Sequence, residues 1–215
     1  MINDGYYTLK SQAAAEITER RSVFIGHARP ISAEKEARDF IGEVRAKHSD
    51  ASHNVYAYLL REGNTARFSD DGEPGGTAGL PVLEVLRKEA LTDCALVVTR
   101  YFGGTLLGAG GLVRAYSAAA KAAVEAAEKI FLKPFNLLEI RTDYPRFQRV
   151  NRLMTDFGVK TREIRFEQDV FTVAAVEAGR SAAFLESVAE ATGASVKVNI
   201  CGVEYDFDEG TGFRK

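Results

Sequence analysis

The pattern of apolar and polar residues predicts short strands and amphipathic helices in the first part of the chain. Residues 54–61 place Val55 and Ala57 on one face and Tyr56 and Tyr58 on the other, which predicts a strand covered on both faces. The apolar run at 94–98 is typical of a central strand. The other predicted elements are strands at 6–9, 22–28 and 65–68 and helices at 33–44, 81–89 and 111–128, with Ser32 as the N-cap of the first helix.

These elements do not alternate regularly between strand and helix. Residues 61–64 form a hairpin turn between two strands, which connects neighbours without an intervening helix. We therefore expect an α+β domain over residues 1–132, with a mixed sheet and helices on one face.

The chain after Lys133-Pro134 has a more regular order of elements. Strands at 136–142, 160–166, 170–176 and 195–203 and helices at 145–157 and 180–192 follow the order β-α-β-β-α-β. This is the ferredoxin-like order. We expect a second domain over residues 136–204, followed by an acidic tail at 205–215. Pro134 supports a boundary, because the residue before a proline is disfavoured in the helical region.

Composition and charge exclude several classes of protein. The 215 residues include 28 Lys and Arg against 30 Asp and Glu, and the isoelectric point is near 6.0. Domains that bind nucleic acid through their overall charge usually have isoelectric points above about 9. The composition therefore excludes that mode of binding and leaves only binding through a local basic patch. The longest uncharged stretch, 101–113, is too short to span a membrane.

The N-terminus shows no secretory pattern. Cys94 and Cys201 are well separated, and we expect both to be reduced and buried. These features predict a cytoplasmic protein without membrane association.

The first candidate for chemistry is an acidic, glycine-rich loop at 69–79. Asp70, Asp71 and Glu73 lie within four residues, and carboxylates this close need water, a cation or a cationic partner. The loop is interpreted either as a recognition loop or an oxygen site for a cation such as Mg²⁺, or as a solvated loop whose glycines supply positive φ. The sequence has no EF-hand spacing, and no metal is assigned.

The second candidate is a glycine-rich loop between the apolar strand and an alanine-rich helix. Free N–H groups at a helix N-terminus favour an anion, and Arg100 and Arg114 bracket the loop and could clamp a phosphate or carboxylate. The spacing fits neither a P-loop nor a Rossmann fingerprint. The alternative is close helix–sheet packing that requires glycine. The glycines of this candidate anion or RNA site are Gly103, Gly104, Gly108, Gly110 and Gly111.

Two further candidates rest on single residue types. His53 precedes a strand and could approach the acidic loop as a base or metal ligand, or could merely be hydrogen-bonded at a strand edge. Arg146, Arg149 and Arg152 flank the apolar stripe of one helix and could contact RNA phosphates, or could form a solvated face. No catalytic residue is assigned, because the hydrolase and zinc motifs are missing from the sequence. No cofactor is predicted.

Several stretches together carry a family resemblance. They are HNVYAY at 53–58, SDDGEPGGTAG at 69–79, GLPVLEVL at 79–86 and VVTRYFGGTLLG at 97–108. Over about residues 18–128, the chain resembles the IMPACT family, in its bacterial YigZ-like branch. The resemblance implies an N-terminal domain with the fold of the second domain of a small-subunit ribosomal protein, shared with GHMP small-molecule kinases. It also implies a C-terminal domain similar to a ferredoxin-like domain of elongation factor G.

Eukaryotic relatives regulate translation, so the resemblance favours a translation-associated regulatory or binding protein. Its partner would be RNA, the ribosome or a protein of translation control. The alternatives are an enzyme, either a GHMP-like phosphotransferase or a metal-assisted hydrolase, and a protein–protein adaptor. In the adaptor interpretation, the motif surface and Arg100 form an epitope. The residues of the motif surface are His53, Asp70, Asp71, Gly72, Glu73, Tyr101 and Phe102.

Overall fold

A computed structural model describes residues 5–207, and the chain forms two compact units that divide between Phe131 and Leu132. We call Tyr6–Phe131 the N-terminal unit and the part from Leu132 onward the C-terminal unit. The predicted tail begins too early at 205, because Tyr205 and Asp206 belong to the last strand. The rest of that tail, 208–215, lies outside the described residues.

The N-terminal unit contains six strands and three helices of the described chain. The strands are β1 (Tyr6–Leu9), β2 (Ala13–Glu19), β3 (Ser22–Pro30), β4 (His53–Leu60), β5 (Thr65–Ser69) and β6 (Cys94–Tyr101). The helices are α1 (Glu34–Lys47), α2 (Gly79–Lys88) and α3 (Ala109–Ala127), and a 3₁₀ turn spans Glu62–Asn64. Helix α1 starts one residue later than predicted. Its N-cap is Ala33, while Ser32 donates hydrogen bonds from its backbone N and its hydroxyl to the Glu36 carboxylate.

Five of these strands form one sheet in the order β2-β3-β6-β4-β5. Every neighbouring pair is antiparallel, so the prediction of a mixed sheet is wrong. Strand β6 lies at the centre, as its apolar run predicted. Strand β2 was not predicted, because the sequence AAAEITE has small residues where a strand usually carries large apolar ones.

Helices cover both faces of this sheet, which corrects the prediction that they lie on one face. Val55 and Ala57 of β4 belong to a core with α2 and α3, whereas Tyr58 and Leu60 belong to a second core with α1. The cause is the pattern of β4 itself: a strand that is apolar on both faces needs cover on both.

Helix α3 packs closely on β3 through a glycine. A Cβ added to Gly26 would overlap the carbonyl oxygen of Ala119 and lie 2.9 Å from the Cβ of Ala123. The small residues of α3 therefore let the helix backbone approach the sheet.

The C-terminal unit has the predicted β-α-β-β-α-β order, and its sheet is antiparallel with the strand order β10-β7-β9-β8. Leu138 and Ile140 of β7 pack with Val150 and Phe184 of the two helices, so both helices cover the same face. The α+β class is confirmed. The elements are β7 (Lys129–Thr142, which begins in the N-terminal unit), α4 (Tyr144–Asp156), β8 (Lys160–Phe166), β9 (Val170–Glu177), α5 (Ala178–Thr192) and β10 (Lys197–Asp206).

Both cysteines are free thiols, but only one is buried. Cys94 lies in the N-terminal core, where burial raises the pKa of its thiol, whereas Cys201 is exposed. The prediction that Cys201 is buried is therefore wrong, since it lies on β10, a strand with one unpaired edge within residues 5–207.

The close approach at Gly26 generates a stability prediction. Gly26→Ala should lower the free energy of unfolding by about 1–3 kcal/mol, the usual cost of overpacking a tight core. Gly42→Ala is the matched control, because its Cβ would meet nothing within 4 Å on the exposed face of α1. That substitution should stabilise by up to about 1 kcal/mol through helix propensity. Urea unfolding measures both, and equal effects of the two substitutions would contradict the proposed packing.

Candidate functional site

The candidate site is centred on Arg100, near the end of the central strand β6. Arg100 lies on the same face as Val98, under α3, and its neighbours in register are Phe24 on β3 and His53 on β4. The residue is only 6% exposed. Its guanidinium carbon lies 5.4 Å from the Phe24 ring centre and 5.5 Å from that of Phe102, so aromatic rings flank the charge.

Glu73 neutralises this buried charge. Its Oε1 accepts a hydrogen bond from Arg100 Nη1 at 2.6 Å and another from the Tyr116 hydroxyl at 2.7 Å. Burial and the bond to Glu73 raise the pKa of Tyr116, so its hydroxyl stays a donor. The Glu73 side chain is 4% exposed. The cluster of Glu73, Arg100 and Tyr116 therefore joins the acidic loop, the central strand and α3.

The other two carboxylates of the acidic loop also have internal partners. Asp70 accepts from the backbone N of Gly76, Ala78 and Gly79, and so caps the start of α2. Asp71 accepts from the Asn54 backbone N at 2.7 Å and forms an ion pair with Arg45. The three carboxylates thus relieve their repulsion through donors of this chain, and the loop is neither simply solvated nor arranged around a shared ligand point.

His53 lies beside this cluster. Its Nδ1 is 2.8 Å from the Asp71 carbonyl oxygen, and because a carbonyl only accepts, Nδ1 carries the hydrogen. Nε2 then has the lone pair in the neutral ring, 3.8 Å from Glu73 Oε1. The side chain is 23% exposed, so solvent reaches the ring beside Glu73. Within residues 5–207, no group of three or more His, Cys, Asp or Glu side chains is arranged to hold a metal ion.

The glycine-rich loop crosses directly over the β2–β3 turn. A Cβ on Gly103 would overlap the backbone of Arg21, and the Gly103 N–H donates to the Ser22 hydroxyl at 3.1 Å. Gly104 and Gly108 have φ of +81° and +70°, which favours glycine. Close packing therefore explains part of the glycine content, although against a turn rather than between helix and sheet.

The start of α3 is left open to solvent. Gly108 is the N-cap, and none of the side chains the structure describes hydrogen-bonds to this end. Gly110 follows in the first turn, and Arg114 Nη1 lies 3.6 Å from where a Gly110 Cβ would be. Arg114 is exposed and forms no hydrogen bond or ion pair with the described chain. Phe102 and Leu106 of the same loop are 48% and 82% exposed.

These positions correct two expectations about the sequence-predicted site. Arg100 and Arg114 do not form a clamp of two free guanidinium groups, because Arg100 is buried against Glu73. The predicted motif surface is only partly a surface, since Glu73 is buried, Tyr101 is half-buried and Phe102 is exposed. Gly72 is exposed, and a Cβ there would lie 3.5 Å from His53 Nδ1.

Sequence reasoning missed Tyr116. The signal for it was present, because Tyr116 is the only aromatic residue in α3, a helix built mainly of alanine. A large side chain among small ones on the sheet-facing side indicates a specific contact, here with Glu73 and, edge-on at 5.1 Å, with the Phe24 ring.

The three arginines of α4 are all exposed, but two have internal contacts. Arg146 forms an ion pair with Asp143, and Arg149 donates to the Ala191 carbonyl at 3.3 Å. Arg152 contacts no hydrogen-bond partner in the part of the chain that the structure describes. A phosphate contact along this helix stays a prediction.

A second buried polar group lies on the α1 side of the sheet. The rings of His27 and His48 are 5.1 Å apart, and His48 Nδ1 is 3.0 Å from the Tyr101 hydroxyl, which donates to Asp50. Neither Nε2 atom has a partner among the described residues. Burial is the main cause that lowers the pKa of both imidazoles, and that of His27 falls to about 4.

The fold and this site define a two-unit α+β protein in which an inward-facing Arg–Glu–Tyr cluster supports a glycine-rich loop. The family model described as the Impact N-terminal domain matches residues 20–124, and a domain of unknown function (DUF1949) matches residues 140–195. The chain belongs to the IMPACT family. Within residues 5–207, no helix is long and apolar enough to cross a membrane.

Similar proteins support the same assignment over most of the chain. The IMPACT family member YvyE of Bacillus subtilis is 37% identical over 188 residues, which cover 87% of this chain and 87% of that protein. The IMPACT family member YigZ of Escherichia coli is 30% identical over 182 residues, covering 83% and 89%. A crystal structure of a hypothetical protein matches with a TM-score of 0.62 at 27% identity, covering 93% of this chain and 98% of that one.

The buried cluster predicts a large effect of removing Glu73. Glu73→Ala leaves the Arg100 charge buried without its partner, and such losses cost about 3–5 kcal/mol. The control is Glu84→Ala on α2, which breaks only an exposed ion pair with Arg87 and should cost less than about 1 kcal/mol. Urea unfolding compares the two variants. A cost for Glu73→Ala as small as the control's would mean that the cluster does not stabilise the unit.

His27 predicts a loss of stability in acid. Its pKa is about 4 when folded against 6.5 as a free side chain, so the unfolded chain binds more protons between these pH values. The free energy of unfolding should therefore fall as the pH falls from 6.5 to 4, by about 3 kcal/mol from this group. Urea unfolding at pH 7 and pH 4 measures the change, and His27→Gln should show a smaller one. Identical pH dependence of the two proteins would contradict the assignment to His27.

Proposed function

We propose that this protein is a cytoplasmic, translation-associated binding protein, and that the loop from Phe102 to Gly111, together with Arg114, forms its contact surface. The family resemblance supports the association with translation, since it implies a role in the regulation of translation. The observation that carries the proposal is the division of the motif residues: the charged cluster is directed inward and pairs Arg100 with Glu73, while the loop it supports presents exposed Phe102 and Leu106.

The exposed features of the loop suit a ribonucleoprotein partner such as the ribosome. Open N–H groups at the start of α3 and the unpaired guanidinium of Arg114 can contact phosphates. Phe102 and Leu106 add exposed apolar area. Apolar side chains do not bind phosphates, but they can contact a protein surface or an unstacked base. A partner with both RNA and protein would engage both kinds of group.

The inward cluster supports binding rather than catalysis at this site. Glu73 accepts bonds from Arg100 and Tyr116 and is almost sealed from solvent, so it is poorly placed to act on a substrate. Its role in this proposal is to fix the end of β6, from which the loop begins.

Ribosome co-sedimentation tests the proposal. The wild-type chain should pellet with ribosomes at about 50 mM salt and progressively less at about 200 mM, because phosphate contacts weaken with salt. Arg114→Gln should lower the salt dependence by about one phosphate contact. The double variant Phe102→Ser, Leu106→Ser should weaken binding about equally at both salt concentrations, since it removes apolar contact only.

Matched controls lie in the same unit. Lys121→Gln removes an exposed cation further along α3, and Phe68→Ser removes an apolar side chain that is 44% exposed on β5. Both should bind like the wild type. Failure of the wild type to pellet at low salt, or equal losses in loop and control variants, would overturn the proposal.

A further inference from the structure

A cleft of about 550 Å³ opens in the C-terminal unit, at the end of the sheet where β7 and β10 meet the start of α4. This volume is within the range of about 300–1,000 Å³ that small-molecule sites occupy. The groups that matter for its chemistry are Glu139, Arg141, Asp143, Arg146, Asp169 and Lys197. The cleft is lined by C-terminal residues alone and has no part in the loop surface proposed above.

Four of these six charges are neutralised within the protein. Arg141 Nε donates to Asp169 at 3.0 Å, and Arg146 forms an ion pair with Asp143. The Arg141 side chain is nevertheless 71% exposed. Its two Nη groups have no hydrogen-bond partner in residues 5–207, so they can still donate into the cleft.

The remaining two charges, Glu139 and Lys197, are opposite in sign and do not meet. Neither forms a hydrogen bond or ion pair with the described chain. In the register of β7 and β10, Lys197 lies opposite Arg141, and Asn199 lies opposite Glu139. Glu139 and Lys197 are therefore diagonal neighbours on one face of the sheet, at a typical separation of about 7–8 Å.

This placement sets two requirements for a ligand. Lys197 and Arg141 are like charges directly opposite each other, and Asp169 occupies only the Nε side of Arg141, so an anion between Lys197 and the Nη groups of Arg141 is favourable. Glu139, two residues before Arg141 on the same strand, offers an unpaired carboxylate to a cation. A carboxylate and an ammonium group on one carbon atom satisfy both requirements at once, and the cleft has room for a side chain beside them.

We infer that this cleft binds a free α-amino acid. The carboxylate of the ligand lies between Lys197 and Arg141, whose guanidinium suits a carboxylate. The ammonium group donates to Glu139. Phe171, which also lines the cleft, provides an apolar contact for the ligand's side chain.

A thermal-shift screen of the full chain against the twenty standard L-amino acids at 10 mM, followed by calorimetric titration of the best ones, tests the inference. At least one amino acid should bind. Its N-acetyl derivative, which lacks the ammonium charge, and its amide, which lacks the carboxylate, should each bind about tenfold or more weakly, as expected for a lost charge-assisted hydrogen bond. Lys197→Gln and Glu139→Gln should each weaken the binding of the amino acid by a similar factor.

The controls separate this site from general charge effects. Glu186→Gln and Arg180→Gln change exposed charges on α5 and should leave binding unchanged. Leu106→Ser, in the loop surface, should also bind the amino acid normally, so failure of the ribosome proposal leaves this test intact. The inference is overturned if no amino acid binds, if the N-acetyl derivative binds as well as the amino acid, or if Lys197→Gln and Glu139→Gln bind like the wild type.

Discussion

The buried ion pair between Arg100 and Glu73 is the constraint on which the N-terminal unit depends. A guanidinium that is 6% exposed is stable only with a close anion, because the desolvation of a lone charge costs several kcal/mol. Glu73 reaches it from a loop 27 residues earlier in the chain, and Tyr116 adds a second donor to the same oxygen. Every element that contributes a group is thereby fixed relative to the central strand.

This constraint explains why the family motif residues divide into two sets. Asp70 and Asp71 hold the acidic loop in the one conformation that brings Glu73 over β6, Asp70 by capping α2 and Asp71 by bonding to β4. The glycines after Tyr101 let the chain leave β6 against the β2–β3 turn. The buried motif residues therefore determine the geometry of the acidic loop and of the end of β6. The exposed residues, which include Phe102 and Leu106, are free to determine what is bound.

How much the sequence predicts depends on whether the signal is local. The C-terminal unit was predictable, because each helix and strand shows its own periodicity and a known order of elements links them. The two-sided cover of the N-terminal sheet is predictable in principle from Tyr58 beside Ala57, and the prediction of helices on one face neglects this signal. The partners of Arg100, Asp70 and Asp71 were not, because the sequence does not state which donor a carboxylate meets across the fold. Two close carboxylates imply repulsion only until the tertiary structure supplies such donors.

The two units treat charge in opposite ways, and this difference bears on function. In the N-terminal unit the charges of Arg100 and Glu73 are buried and paired with each other, so they stabilise the fold. Binding in this unit is proposed for the glycine-rich loop after β6. In the C-terminal unit the register of β7 and β10 keeps Glu139 and Lys197 apart on an accessible face. Water solvates such separated charges at little cost, so they persist without a partner. Closing the pair would add little stability and would leave neither charge free, whereas the separated charges can bind a ligand that spans them.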